Sequence, residues 1–296
     1  MLVYKQKTIN RTLSPATFNF DHLVSIGNLL EELHEECMQE LIKVIKDGTF
    51  IPPEKVNTNN DKEIEEFCKK FFLLYEIQSM DGAYINFRSL NDIVTYDVPS
   101  NISKIKISNL SMYKYLTVQY PPTYFEIQLD FSEVKIFDLS SSPSSGTLND
   151  SYYYVTSTNH TFADGLAERI KNEINKHKNL FPLIHKSGLY DLSLYLFVIP
   201  ATTAIIYTLK DSVPQFITGL PVFLQVLTVI SGFFLLLLSY RLVYNLGRWL
   251  LPYMEIVEQK HKLKSFFRFI YFTLVSGILS TVGYNFIASI IGALSN

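Results

Sequence analysis

Three long apolar segments, Gly188 to Leu209, Phe216 to Tyr240 and Phe266 to Leu294, crowd into the last third of this chain of 296 residues. The first 185 residues hold none. Each segment has the ~20 residues that an α-helix needs to cross a hydrocarbon layer of ~30 Å. Only helices and closed barrels satisfy their own backbone groups in lipid, so these segments predict membrane-spanning helices. The break in composition near Lys186 sets a domain boundary. The expected organisation is a soluble α+β domain over residues 1–186 and a three-helix transmembrane domain over 187–296, with spans 188–209, 216–240 and 266–294.

The mean hydropathy of +0.13 averages a polar part with a very apolar one. A net charge of −2 gives no reason to expect a nucleic-acid partner. Two cysteines, Cys37 and Cys68, imply no disulfide framework and fit a reducing compartment. The first twenty residues lack an apolar core of secretory length, so no cleaved leader is expected.

Orientation follows from Lys and Arg beside the spans. Lys171, Lys176, Lys178 and Lys186 precede the first. Arg241, Arg248, Lys260, Lys262, Lys264 and Arg268 lie between the second and third. Lys210, beside Asp211, is the one basic residue between the first and second. Three crossings place both basic regions on one side. The expectation is a multi-pass inner-membrane protein with a cytoplasmic N-terminal domain and its C-terminus outside. The sequons at Asn10, Asn101, Asn109, Asn149 and Asn159 would then be inert.

In the head, Leu23, Ile26, Leu30, Leu33, Cys37, Leu41 and Val44 recur at spacings of three and four, predicting an amphipathic helix over 20–47. It either packs on the head's own sheet or forms a coiled-coil seam. A second helix is expected over 61–70. The period then changes to two. FFLLYEIQ and AYINFR, around Asp81-Gly82, predict a hairpin. SKIKISN, KYLTVQY, TYFEIQLDF, EVKIFDLS and SYYYVTST add strands. Their short links predict an antiparallel β-meander over 71–158, flanked by helices. Phe162, Leu166, Ile170 and Ile174 mark a closing helix over 160–177, with Thr158 or Asn159 as N-cap.

In the anchor, Asp191 falls at the cytoplasmic end of the first span, and Pro200 predicts a kink there. Trp249, Tyr240, Tyr253, Arg241, Arg248 and Arg268 are expected at the membrane interface. Gln225, Ser276, Gly277, Ser280, Thr281 and Asn285 are candidates for polar or close contact between helices or subunits. The basic residues between the spans either bind anionic lipid or only enforce topology. No carboxylate, histidine or lysine lies in the middle of any span, which argues against proton-coupled transport.

The strand meander, the F-A-D-G-x-x-x-x-I-x-x-x-I helix at Phe162 to Ile174 and the Trp249-Leu250-Leu251-Pro252 turn resemble a family of uncharacterised bacterial membrane proteins. That family has a cytoplasmic α+β domain followed by C-terminal transmembrane helices. The resemblance covers roughly residues 62–296, and no catalytic residue carries over from it.

No phosphate loop, dinucleotide fingerprint, nucleophile elbow or zinc-ligand motif occurs. His34 and Cys37 share a helical face but make only half a zinc site. His160 with Asp164 is either an acid–base pair or a polar helix start. Tyr113, Tyr115, Tyr120, Tyr124 and Tyr152 to Tyr154 could stack a base or simply pack. The chain is expected to be non-enzymatic and without a cofactor. Its partners would be the lipid bilayer, a further copy of itself, and an unknown cytoplasmic protein or small ligand whose binding is coupled to the helices. The alternative is a membrane-disrupting effector, such as one used in antiviral defence, that opens a pore on oligomerisation.

Overall fold

A computed structural model describes residues 6–50, 52, 56–89, 101–116, 120–137, 144–179, 182–200, 202–203, 219–259 and 262–294. The chain divides into two compact units. The first comprises Met1–Glu133, Thr147–His185 and Pro252–Gln259. The second comprises Val134–Gly146, Lys186–Leu251 and Lys260–Asn296.

The first unit is an α+β fold. Its elements are β1 (Lys7–Thr12), β2 (Ala16–Phe18), α1 (Phe20–Lys46), α2 (Asp61–Cys68), β3 (Leu74–Ser79), β4 (Tyr84–Phe87), β5 (Ile102–Ser108), α3 (Leu110–Leu116), β6 (Thr123–Asp130), β7 (Tyr152–Ser157), α4 (His160–Asn175) and β8 (Met254–Ile256). A six-stranded antiparallel sheet runs β1-β7-β6-β5-β3-β4, and β2 pairs with β8 in parallel.

Alternation sorts the sheet into two faces. Tyr75, Ile107, Ile127 and Tyr153 form one cross-strand row, and Ile77, Ile105 and Leu129 form the next. All are buried. The row Glu76, Lys106, Gln128 and Tyr152 lies on the opposite, half-buried polar face. The apolar face packs with Leu23, Ile26, Leu30, Leu33 and Cys37 of α1 and with Leu166, Ile170 and Ile174 of α4. Burying each such large side chain is worth about 1.5–3 kcal/mol, which holds both helices on the sheet. A second core joins Leu41 and Ile45 of α1 to Ile64 and Phe67 of α2 and to Tyr113 of α3. The α1 stripe is thus consumed inside the fold, and no coiled-coil seam is left over. Ile45, rather than Val44, completes it.

Local signals set the helix ends. Asn19 caps α1, accepting from His22 N at 2.7 Å, while His22 Nδ1 accepts from Asn19 N in a capping box. Asn159 caps α4, accepting from Phe162 N at 3.2 Å. The β3–β4 turn places Gly82 at φ 88°, where a side chain would be strained.

Four sequence expectations need correction. The start of KYLTVQY is helical, within Leu110–Leu116, and residues 117–119 lie outside the described set. The described part of EVKIFDLS, 133–137, is irregular rather than a strand, and Phe137 is exposed. In the described part of both, β-rich composition did not suffice without a partner strand to pair with. The meander is also interrupted, because β5 returns to pair with β3 and leaves β4 at the edge. Finally, β1, β2 and β8 were not foreseen.

In the second unit, α5 (Leu189–Ser193) continues through a π-helical turn at Leu194–Val198. Pro200 supplies no N–H to the preceding turn, and the helix widens just before it. Residues 202–203 are helical, and the rest of the first expected span, 204–209, lies outside the described residues. The helix α6 (Val222–Leu250) is long and apolar enough to cross a membrane, and among the described residues it alone passes that test. It runs beyond the expected end at Tyr240 and stops before Pro252, with Leu251 at φ −116° and ψ 74°. A residue preceding proline is driven out of helical geometry in this way. The helix α7 (Lys262–Leu294) covers the third expected span, although its side chains from 282 onward lie outside the described set.

Candidate membrane-interface site

Along α6 the environment changes abruptly. From Val222 to Ser239 the sequence holds no charged residue or histidine, and none of these side chains is buried within the chain. Val222 and Phe223 are about three-quarters exposed, and Val229, Phe234 and Leu235 nearly as open. From Tyr244 to Leu250 the same helix is packed: Tyr244, Asn245, Gly247, Arg248 and Leu250 are all buried. The transition falls where the polar aromatic residues begin, as at a boundary between hydrocarbon and water.

Three tyrosines cluster in the packed part. Tyr190 of α5 lies 4.9 Å from Tyr240 and 5.2 Å, edge-on, from Tyr244. The Tyr240 hydroxyl bonds Ser193 Oγ and donates to Tyr190 O at 3.2 Å. The loop between β6 and β7 supplies the other wall. Ser144 Oγ donates to Asp191 at 2.7 Å, and Gly188 N donates to Ser144 O at 3.0 Å. Asn245 Nδ2 donates to Ile136 O at 3.3 Å.

Three of the basic residues, Arg248, Lys264 and Arg268, are engaged inside the protein. Arg248 stacks its guanidinium 4.8 Å from the centre of the Tyr244 ring and donates to Ser145 O at 2.8 Å. Lys264 is buried with its ammonium 5.1 Å from the centre of the Trp249 ring. Arg268 Nε donates to Leu250 O, placing a cation at the negative end of α6. Arg241 is half-buried. Such cations organise the turn between α6 and α7, and Arg248 and Lys264 are withdrawn from any lipid headgroup. Tyr253 belongs to the first unit, where its hydroxyl donates to Leu13 O at 2.6 Å and its ring packs edge-on against His185 at 5.4 Å.

Ser276, Ser280 and Thr281 bond along their own helix, and Gln225 bonds back to the segment just before α6. Gln225 Nε2 donates to Leu220 O at 2.8 Å. Ser276 donates to Phe272 O, while Ser280 and Thr281 both donate to Gly277 O. Hydroxyls in helices satisfy themselves in this way without needing a partner helix. A Cβ at Gly277 would meet nothing within 4 Å. The Asn285 side chain lies outside the described residues.

In the head, no cluster of His, Cys, Asp and Glu suited to a metal occurs among the described residues. His34 Nε2 lies 3.3 Å from Phe71 O, and burial holds its imidazole below the ordinary range. Burial drives the Cys37 thiol far up and the Cys68 thiol up to about 11, which disfavours the thiolate at neutral pH. Asp164 pairs with Lys7 at 2.6 Å. Tyr113 stacks on Phe71 at 3.9 Å, and Tyr153 lies in the core. Tyr152 donates to Glu126 at 2.5 Å. Tyr120, Tyr124 and Tyr154 form a ladder with centroids 5.9 and 5.8 Å apart. It borders a small cleft also lined by Val44, Phe50 and Pro122.

Sequence reasoning missed Tyr190, Ser144 and Asn245, which carry no motif. The contrast between bare and packed parts of α6 is legible only in three dimensions. Comparison with protein-family models, curated proteins and solved structures finds no match to this chain.

Proposed function

We propose that this is a non-enzymatic bacterial integral membrane protein whose cytoplasmic head binds a protein or small ligand and passes its state to membrane helices. The supporting observation is the apolar length of α6 from Val222 to Ser239, in which no side chain is buried and most are exposed, and which water would solvate poorly and lipid well. The segments 188–209 and 266–294 join it as further spans, giving a multi-pass inner-membrane protein with its C-terminus outside.

Coupling has a covalent basis. The chain passes between the two units at 133/134, 146/147, 185/186, 251/252 and 259/260. A strand of the head, β8, connects α6 to α7, and a loop between two head strands packs with α5 and α6. A ligand that shifts the head therefore acts on segments continuous with the helices.

The open side of Gly277, flanked by Ser276 and Ser280, favours a second reading in which copies associate and open a pore. Expression of the full chain tests both. Retention in the membrane after alkaline carbonate extraction supports the anchor. Val229→Arg should reduce insertion, since a mid-span arginine costs roughly 2.5–3.5 kcal/mol. Recovery of the unaltered protein in the soluble fraction would refute the membrane reading. Ion leakage abolished by Gly277→Leu would favour the pore.

A further inference from the structure

The head brings two histidines far apart in sequence ring against ring. His22, in the first turn of α1, and His177, just beyond α4, stack with centroids 3.9 Å apart and an interplanar angle of 27°. His22 Nδ1 accepts the Asn19 N–H at 3.3 Å, so that nitrogen bears no proton. His177 Nε2 is buried and meets no hydrogen-bond partner among the described residues. Burial, and then the neighbouring His22, hold the His177 imidazole below its ordinary range. The arrangement suits a neutral His177 ring.

The stack sits against a clamp. One side of β2 is held by the segment after α4: Thr17 N donates to His177 O at 2.9 Å, Asn179 N donates to Pro15 O at 2.9 Å, and Ala16 bridges Lys178. The other side is held by β8, in register from Ala16 opposite Met254 to Phe18 opposite Ile256. The Phe18 ring lies 5.7 Å from the His177 ring. Thus β2 joins the segment that leads into the first apolar stretch to the strand that links α6 with α7.

The charged surroundings neither neutralise nor duplicate this pair. From α4, Glu173 and Lys176 act on His177 in opposite directions and pair with each other at 2.5 Å. Ser25 of α1 also donates to Glu173, at 3.1 Å. From the turn after β8, the Glu258 carboxylate is occupied by Phe20 N. Asp21 and Lys178 adjoin the two histidines in sequence.

We propose that the His22–His177 stack is a proton-sensitive latch on the β2–β8 clamp. Protonation of both rings sets two cations face to face and turns the His22 Nδ1 acceptor into a donor facing a donor. The C-terminal end of α4 then parts from α1, and β2 loses its hold on His177–Asn179 and on β8. Transmission of this release to α6 and α7 rests on the membrane reading above; the latch itself does not.

The test is hydrogen exchange of the full-length protein in detergent micelles at about pH 7.5 and about pH 5, corrected for intrinsic rates. Peptides covering 15–18 and 254–256 should lose protection by roughly tenfold or more on acidification. His177→Phe keeps a ring in the stack without a titrating group, and His22→Gln keeps an acceptor for Asn19. Both should hold protection constant. Equal protection of the unaltered protein at the two pH values, or the same loss in both variants, would overturn the latch. Imidazole NMR titration of the unaltered protein gives a check that needs no variant. Two separated steps are expected for coupled rings, and independent titration at a common midpoint would overturn it. A latch that opens in a chain failing carbonate extraction would refute the membrane function and leave the latch standing.

Discussion

The backbone N–H of Phe20 donates to the carboxylate of Glu258 across 3.0 Å, joining residues 238 positions apart. Phe20 opens the helix that covers the sheet, and Glu258 belongs to the connection between α6 and α7. An anion at a helix N-terminus answers both the unpaired N–H groups and the helix dipole there. Replacing Glu258 by alanine should lower the head's stability by about 0.3–1 kcal/mol, with the loss shrinking in high salt. Urea unfolding of the full-length protein in micelles, followed at low and high salt, measures it. A loss unchanged by salt would mean that packing, not charge, is responsible.

The head is not continuous in sequence, so cutting the chain after Lys186 removes one of its strands. The fragment 1–186 lacks β8 and bares Ala16 and Phe18, both fully buried in the intact fold. It should be less stable than the same unit in the full chain and prone to associate through the opened edge of β2. Light scattering and exchange protection at Ala16–Phe18 provide the measurement. A synthetic 252–259 peptide should restore protection, and a fragment as protected as the full chain would contradict the interleaved topology.

Asn109 is fully buried and accepts the Phe125 N–H at 2.8 Å while its own N–H donates to Phe125 O at 3.3 Å. It stands in for a residue of the β5–β6 ladder just where β5 ends. Asn109→Ala strands the Phe125 N–H in the core and should cost about 1–3 kcal/mol. Asn109→Asp keeps an acceptor and should cost less at a pH where the carboxyl is protonated. Chemical denaturation of the two variants side by side checks the order, and an alanine variant as stable as the parent would show that the bond contributes nothing.

His34 lies where the two hydrophobic cores meet, and burial lowers its proton affinity. Above the ordinary imidazole value of about 6.5 it is neutral in both folded and unfolded chains, so its contribution to stability is fully present there. As pH falls below about 6.5 the unfolded chain takes up a proton that the folded one resists, and stability declines towards the lower folded value. His34→Gln retains a donor for Phe71 O and should flatten this part of the pH profile. Unfolding midpoints across that range test it. The variant should leave the pH response of exchange at β2 unchanged, which separates His34 from the His22–His177 stack.

Much of the head was legible beforehand because its signals are local. The α1 stripe, the Asp81-Gly82 turn, the Asn159 cap and the alternation in β3, β5, β6 and β7 each depend on residues within a turn or two of one another. KYLTVQY and EVKIFDLS misled for the same reason. Their β-rich composition satisfies a local rule, but a strand exists only where another strand offers its edge. Met254–Ile256 shows the converse: three residues inside a basic connection gave no periodic signal, yet Ala16–Phe18 supplies the edge that makes them a strand.

From the sequence alone came the contrast between a polar and an apolar part of the chain, the α+β class and the presence of a membrane-length apolar helix, though not its bounds, since these depend on composition and period. Tertiary structure decided the strand order, the insertion of β8 into the head and the ring-on-ring meeting of His22 with His177. It also decided that Arg248 and Lys264 are held within the protein rather than offered to lipid. Those features join residues dozens to hundreds of positions apart, and contacts of that kind are chosen by which buried surfaces fit one another, a property that no local pattern encodes.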